Sequence, residues 1–407
     1  MKPVDHLNKI VQLAELGLVP EKIGTAYKIF RIGGDGVSFF IEDMIDYEES
    51  LKALFQHDKS VHDTYTLERF EQEIIKFLDK NFTTKESVDE GGSLSFFAGL
   101  TSAPISEFSV LRDVHGIILR QLENPYAIGP FTIYHFSSHQ EILNSKTSLA
   151  AGGLWTDENP DYLIEAVIKA RHHEKALEIA DRLFEKFELL LRFAIGFNAN
   201  RFEVGVLNYQ GWRHRRAYIF SKDGSASSSH SGHGAYKPIP IDDPYFVSTE
   251  AGFDLMWAAL ASTNTTELQK RVLLAIEWIG QSYNELSPPS AFLKAAIALE
   301  ILFSQDEKTI INASILSRIA ESVALILGDC SAKRLKIEKE MKKLYSMRSA
   351  IAHAGKSEIA QEDLLTIFYF SSTVVMKVMT SSSQMGWNSI ADVHSCLKSL
   401  KFSCPEI

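Results

Sequence analysis

The sequence predicts a mixed α+β region over residues 1–250, followed by an all-α helical bundle over residues 251–407. Three observations carry this expectation. Short β-prone runs punctuated by Gly and Pro occur only in the first part. From Asn264 onward, apolar residues recur with a helical period. Between the two lies a Gly/Ser-rich tract, Asp223 to Tyr236, trailed by Pro238, Pro240 and Pro244, which marks a boundary near 250. A break near residues 90–100 divides the first region into two subdomains.

The elements follow in order. Val4 to Leu16 carries a helical stripe of Leu7, Ile10, Val11 and Ala14. Phe30 to Ile41 reads as a β-hairpin turning at Gly33-Gly34-Asp35-Gly36, which lacks the Lys-Ser/Thr of a phosphate loop. Tyr65 to Phe82 is helical, and Asp89 to Ser95 is expected to be a loop. Residues 105–136 hold runs around Val110, Ile117 and Ile133 that suit a small antiparallel sheet. Tyr162 to Ala170 is a strand, Lys175 to Phe197 a long helix, and Arg201 to Asn208 and Arg216 to Phe220 are strands. Asp223 to Tyr236 cannot build a packed core and is expected to be a mobile loop. Beyond the boundary, Asn264 to Glu267 resembles a capping box, and Pro288-Pro289 interrupts the chain. Ala291 to Phe303 is apolar nearly all round and so expected to be buried. Helices then cover Ile310–Leu327, Ala332–Ala354, Ile359–Thr380 and Asn388–Lys401, with Gly328 and Gly355 at C-cap positions.

The 407 residues suffice for two or three domains, and 45% hydrophobic against 23% charged excludes wholesale disorder. No uninterrupted apolar run reaches the ~18 residues of a membrane span. Met1 to His6 lacks the apolar core of a signal peptide. Cys330, Cys396 and Cys404 are odd in number and not spaced for a zinc ribbon, so a reducing cytoplasm is expected. Residues 265–407 hold 16 Lys+Arg against 15 Asp+Glu, so residues 1–264 carry the acidity of a chain with net charge −10. That acidic part is a poor general binder of nucleic acid, whereas the near-neutral remainder has room for a local basic site.

The informative segment is Leu344-Tyr345-Ser346-Met347-Arg348-Ser349-Ala350-Ile351-Ala352-His353-Ala354-Gly355. Arg348 and His353 stand five apart at the end of an apolar helix preceded by basic residues. On an ideal helix that means about 140° of rotation and about 7.5 Å of rise, so the two do not share a face. A joint site then needs a relaxed last turn or a second chain. Upstream, Ala298-Leu299-Glu300-Ile301-Leu302-Phe303 follows the Pro-Pro break, and Glu277-Trp278-Ile279 precedes it.

Together these segments resemble the Apea-like HEPN family, whose small all-α domain carries an Arg-x4–6-His motif. The resemblance covers roughly residues 265–380. Residues 105–208 also resemble, more loosely, the N-terminal region of such proteins. One departure is the order Ala354-Gly355 after the motif His, where the family usually has Gly directly. The resemblance implies a metal-independent endoribonuclease that acts as a homodimer through its C-terminal domain. It further implies an effector of bacterial anti-phage (abortive infection) defence. The N-terminal region would then sense a phage-derived trigger or restrain the nuclease. A catalytically silent HEPN module for dimerisation or nucleotide binding, and a HEPN toxin paired with a separate antitoxin, are the alternatives.

The residues suit that chemistry in their own right. Cleavage through the 2′-hydroxyl needs a proton acceptor, which a His near neutral pH supplies. It also needs positive charge on the phosphate, which the planar Arg fork supplies. Arg348 and His353 are therefore the expected catalytic pair. His353 as a helix C-terminal cation is the bland alternative. Ser349 is a phosphate or backbone hydrogen-bonder, or a surface serine. Tyr345 is placed to stack a base or orient Arg348, or simply to pack. Glu300, a carboxylate in an apolar helix, needs a cation such as Arg348, or else sits at a solvated edge. Lys339, Lys342 and Lys343 form an RNA track or a solvated face laced by Glu pairs. Trp212 to Arg216 mixes aromatic and basic residues at a hairpin turn and reads as an exposed turn, with a nucleic-acid contact as the alternative. His230/His233 and His172/His173 lack further donors, so neither metal nor cofactor is expected. The expected partners are RNA, tRNA among the candidates, and a second copy, with no membrane.

Overall fold

A computed structural model describes residues 1–16, 28–32, 37–41, 43–82, 87–146, 160–196, 204–207, 215–220, 226–231, 237–304, 313–355 and 357–402. The chain divides into two compact units. Met1–Val110 with Val167–Asp181 form one, and Leu111–Ala166 with Arg182–Ile407 form the other.

The first unit is built from α1 (Pro3–Leu13), β1 (Glu15–Leu16), β2 (Lys28–Ile32), β3 (Val37–Ile41), α2 (Met44–His57), α3 (Lys59–Thr64), α4 (Leu67–Phe82) and α5 (Glu90–Ser102). β2 and β3 pair antiparallel from Lys28↔Ile41 to Ile32↔Val37, and β1 adds to the other edge of β3. The turn Gly33–Gly36 lies outside the described residues. Leu7 and Ile10, Tyr47, Leu51 and Leu54, and Phe70, Ile74 and Leu78 supply helical stripes to one core. Asp58 accepts the N–H groups of Ser60 and Val61, which starts α3 and separates it from α2. The loop expected over Asp89 to Ser95 is instead the first half of α5. Gly91 and Gly92 disfavour helix. Here the Asp89 carboxylate caps the Gly92 N–H at 2.7 Å, and Phe97 and Leu100 bury in the core.

The sheet region comprises β4 (Ser106–Asp113), β5 (Ile117–Ile118), β6 (Tyr126–Ile128), β7 (Phe131–His135), α6 (Gln140–Lys146), β8 (Tyr162–Ala170) and α7 (His173–Ile195). Four strands lie in the order β4-β8-β7-β6, with β6–β7 and β7–β8 antiparallel. Ile117 and Ile118 do not join that sheet; β5 pairs parallel with β11 (Ile239–Pro240). Of the strand expected over Arg201 to Asn208, the described residues contribute one bridge, Gly205 to His115. The mobile loop expected after Asp223 also needs correction. Residues 226–231 form β10 (Ala226–Ser231), antiparallel to β9 (Arg215–Phe220). Ladder hydrogen bonds are made by backbone, so a Ser-rich strand can pair without burying apolar side chains. The rest of that tract, and Trp212 to His214, lie outside the described residues.

After residue 250 every described element is helical: α8 (Phe253–Ala261), α9 (Glu267–Tyr283), α10 (Pro288–Phe303), α11 (Ala313–Leu327), α12 (Ser331–Ala354), α13 (Gln361–Met385) and α14 (Ile390–Phe402). The cap of α9 is two residues later than expected. The box is Thr266 with Gln269, each side chain bonding the other's backbone N–H. Pro288 and Pro289 occupy the first positions of α10, where a missing N–H costs nothing. α13 is the one described helix long and apolar enough to cross a membrane. Its Ile367, Phe368, Val374, Val375 and Val378 are buried in the bundle.

The core of the second unit is continuous from sheet to bundle. Phe131 stands 5.2 Å from the Phe187 ring and 6.4 Å from Trp257, edge-on to both. α7 and α9 approach so closely at Gly280 that a Cβ there would collide with the Leu189 carbonyl. A backbone atom cannot rotate away, so Gly280→Ala must push the two helices apart. We expect Gly280→Ala to lower unfolding free energy by about 1–3 kcal/mol, the range for overpacking, measured by urea denaturation. Wild-type stability in that variant would mean that the helices are not in contact there.

Candidate functional site

α12 carries the Arg348–His353 pair in its last two turns and stops at Gly355. Gly355 takes φ +64, the left-handed C-cap conformation, and its N–H bonds to the Ala350 carbonyl. Two faces run along this helix. Met341, Leu344, Tyr345 and Ile351 form the buried one, and Arg348 falls on that stripe. Lys339, Lys342, Ser346 and His353 lie on the exposed one. Arg348 therefore points into the bundle while His353 faces solvent, and no hydrogen bond or ion pair joins them.

What Arg348 meets is Glu300, near the end of α10. The guanidinium donates from Nε to Glu300 Oε1 at 2.9 Å and from Nη2 to Oε2 at 3.1 Å. This two-pronged pair is the geometry in which Arg outperforms Lys. Glu300 is only 5% exposed. Burial pushes its carboxyl above the ordinary carboxylate range, and the charge and hydrogen bonds of Arg348 pull it back. Tyr345, one turn before Arg348, is buried and directs its hydroxyl toward the Ala296 carbonyl at 3.5 Å. Burial, with the Glu300 charge added, raises its pKa well above the usual phenol value.

The turn of α10 that holds Glu300 is fastened from outside. Arg271 of α9 donates from Nη1 to the carbonyls of Ile301 at 2.9 Å and Ser304 at 2.7 Å. His394 of α14 bonds the Phe303 carbonyl through Nε2 at 3.2 Å. These carbonyls would otherwise be the orphans of a helix end. Because a carbonyl only accepts, Nε2 carries the proton in this bond. Burial lowers its pKa, the Phe303 hydrogen bond opposes that, and Arg318 and Arg271 lower it further.

Of the residues singled out from sequence, the structure brings together Arg348, Glu300 and Tyr345. Ser349 is half-buried and makes no side-chain hydrogen bond among the described residues. Lys342 is tied to Glu338 at 2.5 Å, and Lys343 to Asp363 at 2.6 Å. Lys339 is exposed and has no ion pair among the described residues. His172 packs edge-on against Tyr65 with ring centroids 4.7 Å apart. The side chain of His230 and all of His233 fall outside the described residues. Among the described residues, no group of three His, Cys, Asp or Glu is arranged around a metal position. Arg271 and His394 escaped the sequence reading because their partners are backbone carbonyls of another helix.

No family model, curated protein or solved structure matches the chain.

Two measurements test this geometry. Arg348→Ala strands a buried carboxylate and should cost about 3 kcal/mol of stability, whereas exposed His353→Ala should cost about 0.5 kcal/mol or less. Adding Glu300→Gln to Arg348→Ala should recover part of that loss in urea titrations. Equal stability of both single variants would show that the Arg348–Glu300 pair is not formed. The second concerns pH. His394 has a folded pKa below its unfolded value of about 6.5, so the folded state resists its proton. Stability is present above that value and is lost as pH falls through the folded pKa. The melting temperature should therefore drop on acidification below neutral, less steeply in His394→Gln. His6, His139 and His172, lowered in the same direction, keep the residual slope from vanishing. An unchanged slope would remove His394 from the account.

Proposed function

We propose that this protein is a metal-independent endoribonuclease of the HEPN type, with Arg348 and His353 as its catalytic pair. The observation that carries the reading is the pair itself. An Arg-x4-His motif closes a long helix, with the Arg fork oriented by a buried carboxylate and the His open to solvent. His353 takes the proton of a ribose 2′-hydroxyl, and the freed oxygen attacks the adjacent phosphorus. The bond to the 5′-oxygen breaks, leaving a 2′,3′-cyclic phosphate, and that oxygen takes up a proton from a second acid. Arg348 offsets the charge that builds on the phosphate through Nη1, the guanidinium nitrogen that Glu300 does not engage.

The opposed directions of Arg348 and His353 on α12 favour a site completed by two chains. Across a two-fold axis, the exposed His353 of each copy faces the other, which supplies both a base and an acid. In this reading the protein is a cytoplasmic, homodimeric effector of anti-phage defence, acting on RNA such as tRNA. Residues 1–250 sense a phage-derived trigger or restrain the nuclease. A second reading has its own observation: the Arg348 fork is already occupied by Glu300. That favours a catalytically silent module for dimerisation or nucleotide binding.

Purified protein incubated with total RNA separates the two. A nuclease cleaves with EDTA present, leaves cyclic phosphate ends, and loses about 10²–10⁴ in rate in His353→Ala. Cleavage that stops with EDTA and returns with Mg²⁺, or that persists in His353→Ala, would overturn the mechanism.

A further inference from the structure

The exposed side of α12 reaches well beyond His353. Leu335, Lys339, Lys342, Ser346 and His353 follow one another at helical spacing, and all five are exposed. From Leu335 to His353 the rise is about 27 Å, enough to run alongside several nucleotides. The lysines on this helix are not equivalent. Lys333, Lys342 and Lys343 are held by Asp329, Glu338 and Asp363. Lys336 and Lys339 are exposed and carry no ion pair among the described residues.

α13 flanks this face. The Lys343–Asp363 pair joins the two helices near one end. Tyr369 lies about 9 Å further along α13 from Asp363. Tyr369 is 62% exposed. Its neighbours in sequence, Phe368 and Phe370, are buried, so the core of α13 does not need this third ring. The Tyr369 ring rests at 5.8 Å from that of Phe370, which restricts where it can turn. Its hydroxyl makes no hydrogen bond among the described residues.

We infer that the outer face of α12 and the adjoining edge of α13 bind single-stranded RNA, with Tyr369 stacking on a base and Lys336 and Lys339 meeting phosphates. The inference rests on the reading of RNA as substrate and adds where and in what form the strand is held. An exposed aromatic ring on one helix and exposed cations on the helix joined to it through Lys343 and Asp363 are the combination that single-strand binders use, since every base offers a face to stack on. In duplex RNA those faces are already stacked on their neighbours, so the platform selects unpaired segments. The second copy meets α12 at its His353 end; around Lys336 and Lys339 charge favours RNA over a protein surface, because burying them against an apolar partner would leave two ammonium groups unpaired.

The test uses the full-length protein and a fluorescent oligoribonucleotide that is 2′-O-methylated throughout, which cannot supply the attacking hydroxyl. Anisotropy should report binding of the single strand. Tyr369→Ala should weaken it roughly ten-fold, Tyr369→Phe should leave it near wild type, and neither should change binding of the same sequence as a duplex. Lys336→Gln with Lys339→Gln should reduce the slope of log affinity against log salt by about 1.4. Wild-type affinity in Tyr369→Ala would overturn the inference. So would a changed sedimentation of that variant with RNA affinity intact, which would put a second copy, and not RNA, against Tyr369. Tyr369-dependent binding without cleavage of ordinary RNA overturns the nuclease reading alone. Cleavage without such binding overturns this inference alone.

Discussion

A carboxylate inside a helical bundle has to be paired, and Glu300 is such a carboxylate. Its charge is tolerated because the Arg348 fork meets both oxygens. That requirement fixes much else. α12 must cross α10 at a height that brings Arg348 level with Glu300, and Met341, Leu344 and Tyr345 fill the contact around it. It also fixes what is left outside. Once Arg348 is committed inward, helical geometry turns His353 toward solvent, together with Lys339 and Lys342. The inner pair and the outer stripe are two sides of one constraint. The carbonyls just beyond Glu300 are held by Arg271 and His394, so the carboxylate sits on a turn that cannot easily fray.

The helices after 250 were legible because each has a strong apolar period, a stop signal, or both. Gly355 and Pro288-Pro289 did in the structure what their backbone chemistry demands. Failures arose where local composition and wider context pull in opposite directions. Two glycines near residue 91 argue against helix, yet one aspartate cap and two buried side chains outweigh them. The Ser-rich stretch at 226–231 offers nothing to a core, yet its backbone completes a ladder with β9. The cap of α9 moved from Asn264 to Thr266 because two side chains of equal local merit compete. The one whose partner three residues on is Gln269 closes a reciprocal bond.

The candidate site was legible in part for a similar reason. Arg348 and His353 lie close in sequence, and their rotation about one helix follows from counting. Glu300 stood out as a charge in an apolar run. What sequence could not reveal is the anchoring of α10, since Arg271 and His394 resemble any surface Arg and His until their carbonyl partners appear. Nor could it tell which lysines of a basic run are already neutralised, because Asp363 reaches Lys343 from twenty residues away through the fold. Tyr369 drew no notice, since one tyrosine among several apolar residues looks like core.

The path of the chain between its two compact units has a consequence for synthesis. The polypeptide leaves the first unit after Val110, returns for Val167–Asp181, and leaves again at Arg182. As the chain emerges from the ribosome, Met1–Val110 waits for a segment made more than fifty residues later. Leu111–Ala166 in turn waits for the long C-terminal stretch that completes its own unit. Neither unit can finish folding in the N-to-C order that serves contiguous domains. The outer face of α12 is translated only after the first unit has all its parts.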